Sequence, residues 1–230
     1  MEPLREVVPD QIWVKEGSVH FAGMDLLIRM TVFRVAGGVM LHSPIEINGP
    51  TREAIERLGP VRAIIAPSTV HHLFVPSAQQ AFPDAPLYGI EGLEKKRDDL
   101  HFTGLIGEEA PPLWAGELDQ VVIGNRVMRE VDFLHRASRT VILTDLVENF
   151  RDKTPGTNAF LREFMEVAGM WNHPRPAPEL RLLTIHREAA RNALDKLLAW
   201  DFDRATIAHG ELLDQDPKSA IREAWDWMID

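Results

Sequence analysis

Nine histidines are spread along this 230-residue chain, and two of them stand side by side in Ala63-Ile64-Ile65-Ala66-Pro67-Ser68-Thr69-Val70-His71-His72-Leu73-Phe74. The short apolar run reads as a buried strand, the histidines occupy the loop that follows, and Phe74 to Phe82 reads as a helix. Side chains where a chain leaves a sheet are well placed for a site. Paired imidazoles there can hold a metal or act as acid and base. Two other places share the description. Asp145 closes an apolar stretch, Thr140 to Leu146, and His209 follows Arg204 to Ala208. Together His71, His72, His209 and Asp145 would form a four-coordinate shell for zinc, or part of a shell for manganese or iron. Each also has a plain structural role open to it. A histidine at a strand end is commonly just hydrogen-bonded, and Asp145 could cap the turn toward Glu148-Asn149.

Composition narrows the chemistry. There is no cysteine, so any metal must rely on histidine and carboxylate, and no disulfide can form. Absent cysteine fits a reducing compartment. A formal net charge of −10 argues against a nucleic-acid partner, because that binding needs clustered Lys and Arg. The one basic run, Lys95-Lys96-Arg97, is followed at once by Asp98-Asp99. Residues Met1 to Asp10 lack the apolar segment of a signal peptide, and no run approaches the roughly 20 apolar residues of a membrane helix. The expectation is a soluble cytoplasmic protein that meets a small molecule, with no membrane partner. The oligomeric state is not readable from the sequence.

The elements that must carry these residues follow from pattern and punctuation. Gln11 to Val14, Val19 to Ala22, Leu26 to Val35 and Val39 to His42 read as strands, with Ala36-Gly37-Gly38 as a hairpin turn. Thr51 is the expected N-cap of a helix over Arg52 to Leu58. Pro86-Leu87-Tyr88 is another short strand, and residues 91–117, rich in Gly and Pro, read as loops. Strands return at Gln120 to Ile123, Val127 to His135 and Thr140 to Leu146. Helices are expected at Asn158 to Ala168, Arg187 to Trp200 and from Pro217 to Met228, the last capped by Asp216. The loop His173 to Glu179 is proline-rich. Strands then helices, twice, suggest two packed sheets with helices outside, in one domain over 1–230 whose halves divide near 91–117. His42 reads as a buried structural histidine, His173 and His186 as surface residues, and Trp200, Trp225 and Trp227 as packing residues.

The order of these segments resembles the metallo-β-lactamase fold superfamily, and within it an uncharacterised branch with a degenerate metal motif. The resemblance spans about residues 10–228. It implies an α/β (α+β) four-layer αββα sandwich with metals at one open edge. The family's His-x-His-x-Asp-His pattern, with its final histidine on His72, puts its Asp on His71 and its earlier histidines on Thr69 and Pro67. Its later carboxylate falls on Asp145 in Val141-Ile142-Leu143-Thr144-Asp145, and its last histidine on His209 in Ala208-His209-Gly210. Of its two ligand sets, the first lacks the histidines replaced by Pro67 and Thr69. It also lacks one that should precede the strand ending at His135, since none lies between His101 and His135. The second set, His71, His72, Asp145 and His209, exchanges one Asp for His. The resemblance thus implies one divalent metal, zinc before manganese or iron, or none. Two functions follow as expectations: a single-metal hydrolase of an ester, thioester, amide or phosphoester, or a non-catalytic binding protein on a vestigial hydrolase scaffold.

Overall fold

The computed structural model describes residues 3–21, 23–124, 128–184, 187–213 and 215–229. His186 and Val127 therefore lie outside the described residues. Eleven strands fall into a seven-stranded sheet, β1 to β7 in chain order, and a four-stranded sheet ordered β11-β10-β9-β8, among the described residues.

The first sheet opens as an antiparallel meander of β1 (Arg5–Val8), β2 (Ile12–Phe21), β3 (Met24–Val35) and β4 (Gly38–His42). Helix α1 (Gly49–Leu58) and helix α2 (Val75–Ala81) then act as crossovers. They lead to the parallel strands β5 (Val61–Ala66), β6 (Leu87–Ile90) and β7 (Gly104–Ile106). Sheet two begins at β8 (Leu118–Gly124) and continues through β9 (Arg129–His135), β10 (Thr140–Ile142) and β11 (Arg204–Thr206). Between β10 and β11 run α3 (Ala159–Val167), α4 (Pro178–Leu183) and α5 (Arg187–Ala199); α6 (Pro217–Ala224) and α7 (Asp226–Ile229) follow.

Period-two alternation divides β9 between two cores. Val131 and Phe133 pack with Met30, Phe33, Ile64 and Ile65 of the first sheet. Leu134 joins Val121, Val141, Leu194, Leu197, Ile221 and Trp225, where the later helices cover the second sheet. The expected sandwich of two sheets between helical layers is what forms.

Local differences have local causes. The two strands expected over 11–14 and 19–22 are one, because Lys15 to Ser18 stay in register with Met30 to Leu27 of β3. The cap of α1 is Asn48, whose carboxamide oxygen accepts the Thr51 amide at 3.0 Å, rather than Thr51 itself. In α3, Leu161 and Met165 are buried while Phe160 and Phe164 face solvent, so the apolar face is narrower than the pattern suggested. Both β10 and β11 stop short of the expected ends, which leaves Asp145 and His209 in loops beyond them.

Candidate metal centre

β10 and β11 run parallel and side by side, so the loops that leave their C-terminal ends leave together. Those loops carry Asp145 and His209, and the turn after β5 brings His71 to the same edge. His71 Nε2 lies 3.1 Å from Asp145 Oδ1 and 3.1 Å from His209 Nε2, and His209 Nε2 lies 3.3 Å from Asp145 Oδ1. Among the described residues this is the one group of histidine and carboxylate donors close enough to share an ion.

Each donor is held from behind. His209 Nδ1–H donates to the Leu27 carbonyl of β3 at 2.8 Å, which turns Nε2 to the centre. The loop carrying it is clamped by Arg29, whose buried guanidinium donates to the Ile207 and Gly210 carbonyls at 2.7 Å each and pairs with Glu16. The Asp145 and Leu146 amides both donate to the Glu130 carboxylate at 3.0 Å. Behind Glu130 sits Asp132, two residues on along β9 and wholly buried. Burial and the neighbouring charge of Glu130 push the Asp132 carboxyl well up, so it keeps its proton. His71 Nδ1 lies 2.7 Å from Ser43 Oγ.

His72 does not join the centre. The chain from Ser68 to Phe74 is a tight turn, with the Ser68 hydroxyl accepting the Val70 and His71 amides, and successive side chains in such a turn diverge by roughly 100°. His72 Nδ1 instead accepts from the Arg97 guanidinium at 2.8 Å. Burial, with Lys96 and Arg97 nearby, lowers it to about 4 and keeps it neutral. The expectation that adjacent histidines face one ion thus gives way to three convergent donors. His42 is buried edge-on to Phe133, and His135 lies at the end of β9 on Ser138 and the Arg34 carbonyl. Neither reaches the centre.

Thr69 N–H donates to the Arg129 carbonyl at 3.1 Å and Val131 N–H to that of Pro67 at 2.8 Å, so residues 67–69 and 129–131 are stitched together.

The charge state of the three groups is set by one another. Burial opposes a charged His209, but its hydrogen bond to Asp145 and the carboxylates of Glu148 and Asp145 lift it to about 9. Burial likewise opposes an ionised Asp145, yet the charge of His71 and the hydrogen bonds from His209 and His71 take it far below the ordinary range. Oδ2 of Asp145 is buried and has no hydrogen-bond partner among the described residues. Donors at zinc-bond length around one tetrahedral ion stand about 3.3–3.5 Å apart, so the observed triangle fits after opening by a few tenths of an ångström.

Two sheets flanked by helices, with a histidine–aspartate cluster at one edge, define the metallo-β-lactamase fold. Solved structures agree. A metallo-beta-lactamase from Pontibacter korlensis superposes with TM-score 0.65 at 13% identity, covering 98% of this chain and 97% of that one. The metallo-beta-lactamase FIM-1 from Pseudomonas aeruginosa in its mono-zinc form gives 0.61 at 11% identity, over 99% and 96%. That from Hirschia baltica gives 0.59 at 7% identity, over 95% and 96%. No curated protein matches the sequence. Within this fold, the chain belongs to the family described as "Domain of unknown function (DUF4336)", whose model matches residues 9–174. The match includes His71 and Asp145 and stops before His209.

Sequence reading missed Ser43, Arg29, Glu130 and Asp132. Signals for three of them were present. Arg29 is the one charge inside the apolar run Leu26 to Phe33, and Glu130-Val131-Asp132 puts two carboxyls on one face of a strand whose other face carries Val131 and Phe133.

Proposed function

We propose that this protein is a single-zinc hydrolase whose metal is held by His71, Asp145 and His209, acting on an ester, thioester, amide or phosphoester. The reading rests on one observation: three donor atoms within 3.3 Å of one another, each fixed from behind. Structural zinc sites are closed by four protein ligands, whereas catalytic sites use three and keep a position free. With His72 turned to Arg97, the donor set is of the second kind. A bound zinc supplies a water acidic enough to ionise near neutral pH, or polarises a substrate oxygen. The residues of the chain do the rest. Leu27 and the Arg29 clamp hold His209, and Glu130 holds Asp145. Two neutral imidazoles and one carboxylate leave a divalent ion with a net charge of +1, which favours an anionic group on the substrate.

A second reading, metal binding without catalysis, is favoured by Pro67 and Thr69, which offer no imidazole where the resemblance puts the first ligand set. Elemental analysis of protein purified without a histidine tag separates the possibilities. We expect about one zinc per chain, close to none in a His71→Ala/His209→Ala variant, and full occupancy in His72→Ala. Wild-type protein that takes no zinc would overturn the metal reading. Zinc-loaded protein inactive on ester, thioester, amide and phosphoester panels would favour the second.

A further inference from the structure

Ser43 is the first residue after β4, and it adopts φ +53°, the left-handed region that side chains other than glycine rarely enter. It also precedes Pro44, which narrows the backbone further. Glycine would sit here at no cost. A serine that is only 4% exposed in such a conformation requires a reason. Its backbone is tied by the Ser43 N–H to the Ile65 carbonyl at 3.1 Å, a bond any residue could make. What only the serine supplies is the hydroxyl 2.7 Å from His71 Nδ1.

We infer that Ser43 is a positioning residue for the metal centre, holding the His71 ring so that its Nε2 lone pair faces Asp145 and His209. This deepens the zinc reading and rests on it. The two histidines are not held alike. His209 meets a backbone carbonyl, which accepts and does nothing else, so its Nδ1 always carries the proton. His71 meets a hydroxyl, which can accept or donate, so both tautomers are allowed. When Ser43 accepts from Nδ1–H, Nε2 is free to ligate. When it donates to Nδ1, Nε2–H can bond to Asp145. Ser43 therefore keeps His71 in place whether the centre holds a metal or not, and the left-handed backbone is what aims the hydroxyl. Residues that orient a metal-bound histidine are worth 10–100-fold in metal affinity.

Two substitutions distinguish orientation from ordinary structure. Ser43→Gly removes the hydroxyl while relieving the backbone; Ser43→Ala removes the hydroxyl and keeps the strain. Zinc affinity is measured by competition with a chromophoric chelator, and thermal unfolding is followed on the metal-free proteins. We expect both variants to lose about 10–100-fold in zinc affinity, while metal-free Ser43→Gly melts at or above the wild-type temperature. A merely structural serine would let affinity follow stability, leaving Ser43→Gly with wild-type affinity. That result overturns the inference and leaves the metal site standing. Wild-type protein without zinc affinity overturns both.

Discussion

Protons and zinc compete for Nε2 of His209, and this sets a pH dependence with a definite sign. His209 is lifted from 6.5 to about 9 in the metal-free protein, so zinc must displace a proton at every pH below that. Apparent zinc affinity should rise about tenfold per pH unit up to about 9 and then level off, with about one proton released per ion. Calorimetry in buffers of different ionisation enthalpy counts that proton; a count near zero at pH 7 would contradict the assignment. The same group sets metal-free stability. A raised folded pKa gives stability that is complete below 6.5 and lost as pH climbs through about 9, a loss of roughly 3 kcal/mol. Asp145 acts oppositely: its lowered pKa stabilises above the ordinary carboxylate value and is lost as pH falls below it. Metal-free protein should therefore melt highest in the weakly acidic range, and zinc-loaded protein should lose less stability between pH 7 and 9 than the metal-free protein does.

At the level of elements, the centre depends on strands that contribute no ligand. β3 reaches across to the His209 loop through Arg29. Replacing it by Met strands two carbonyls and breaks a mostly buried ion pair, which should cost about 3 kcal/mol and weaken zinc binding as well. Denaturant midpoints and chelator competition on Arg29→Met would show both effects. β9 supplies the acid pair. Because Asp132 holds a proton that the unfolded chain releases above the ordinary carboxylate range, its burial destabilises the protein increasingly as pH rises. Asparagine keeps the shape of the side chain, and a neutral group in that buried place, without that penalty. Asp132→Asn should equal or exceed wild-type stability at pH 7, with a gain that grows with pH, whereas Asp132→Ala should lose stability. Of the centre itself, His71, Asp145 and His209 were legible because each follows an apolar run. The misplacement of His72 was not correctable from sequence, since the direction of a side chain in a turn depends on the Ser68 hydroxyl and on Arg97, 25 residues away. Ser43 carried no sequence signal, because a left-handed serine looks like any other.

Taken whole, the molecule was read correctly at the level of layers and connections, where hydrophobic period and glycine–proline punctuation dominate. It was read less well at strand ends, where pairing partners distant in sequence decide the length. Zinc at 100 times its dissociation constant should add about 2.7 kcal/mol to the stability of the fold, visible as a concentration-dependent melting temperature. A temperature that ignores zinc would count against the site. There is also a matter of timing. His71 and His209 are 138 residues apart, and the Arg29 contact with Ile207 spans 178. No early, local folding event can bring such groups together, because the loop entropy of closing those spans is met only when both sheets are in place. The centre is then a clasp fastened last. Zinc should leave the folding rate almost untouched and slow unfolding instead, and a chain stopped before residue 204 should hold no ion at this edge however well its first sheet forms. In effect, the ion registers that the chain has finished folding.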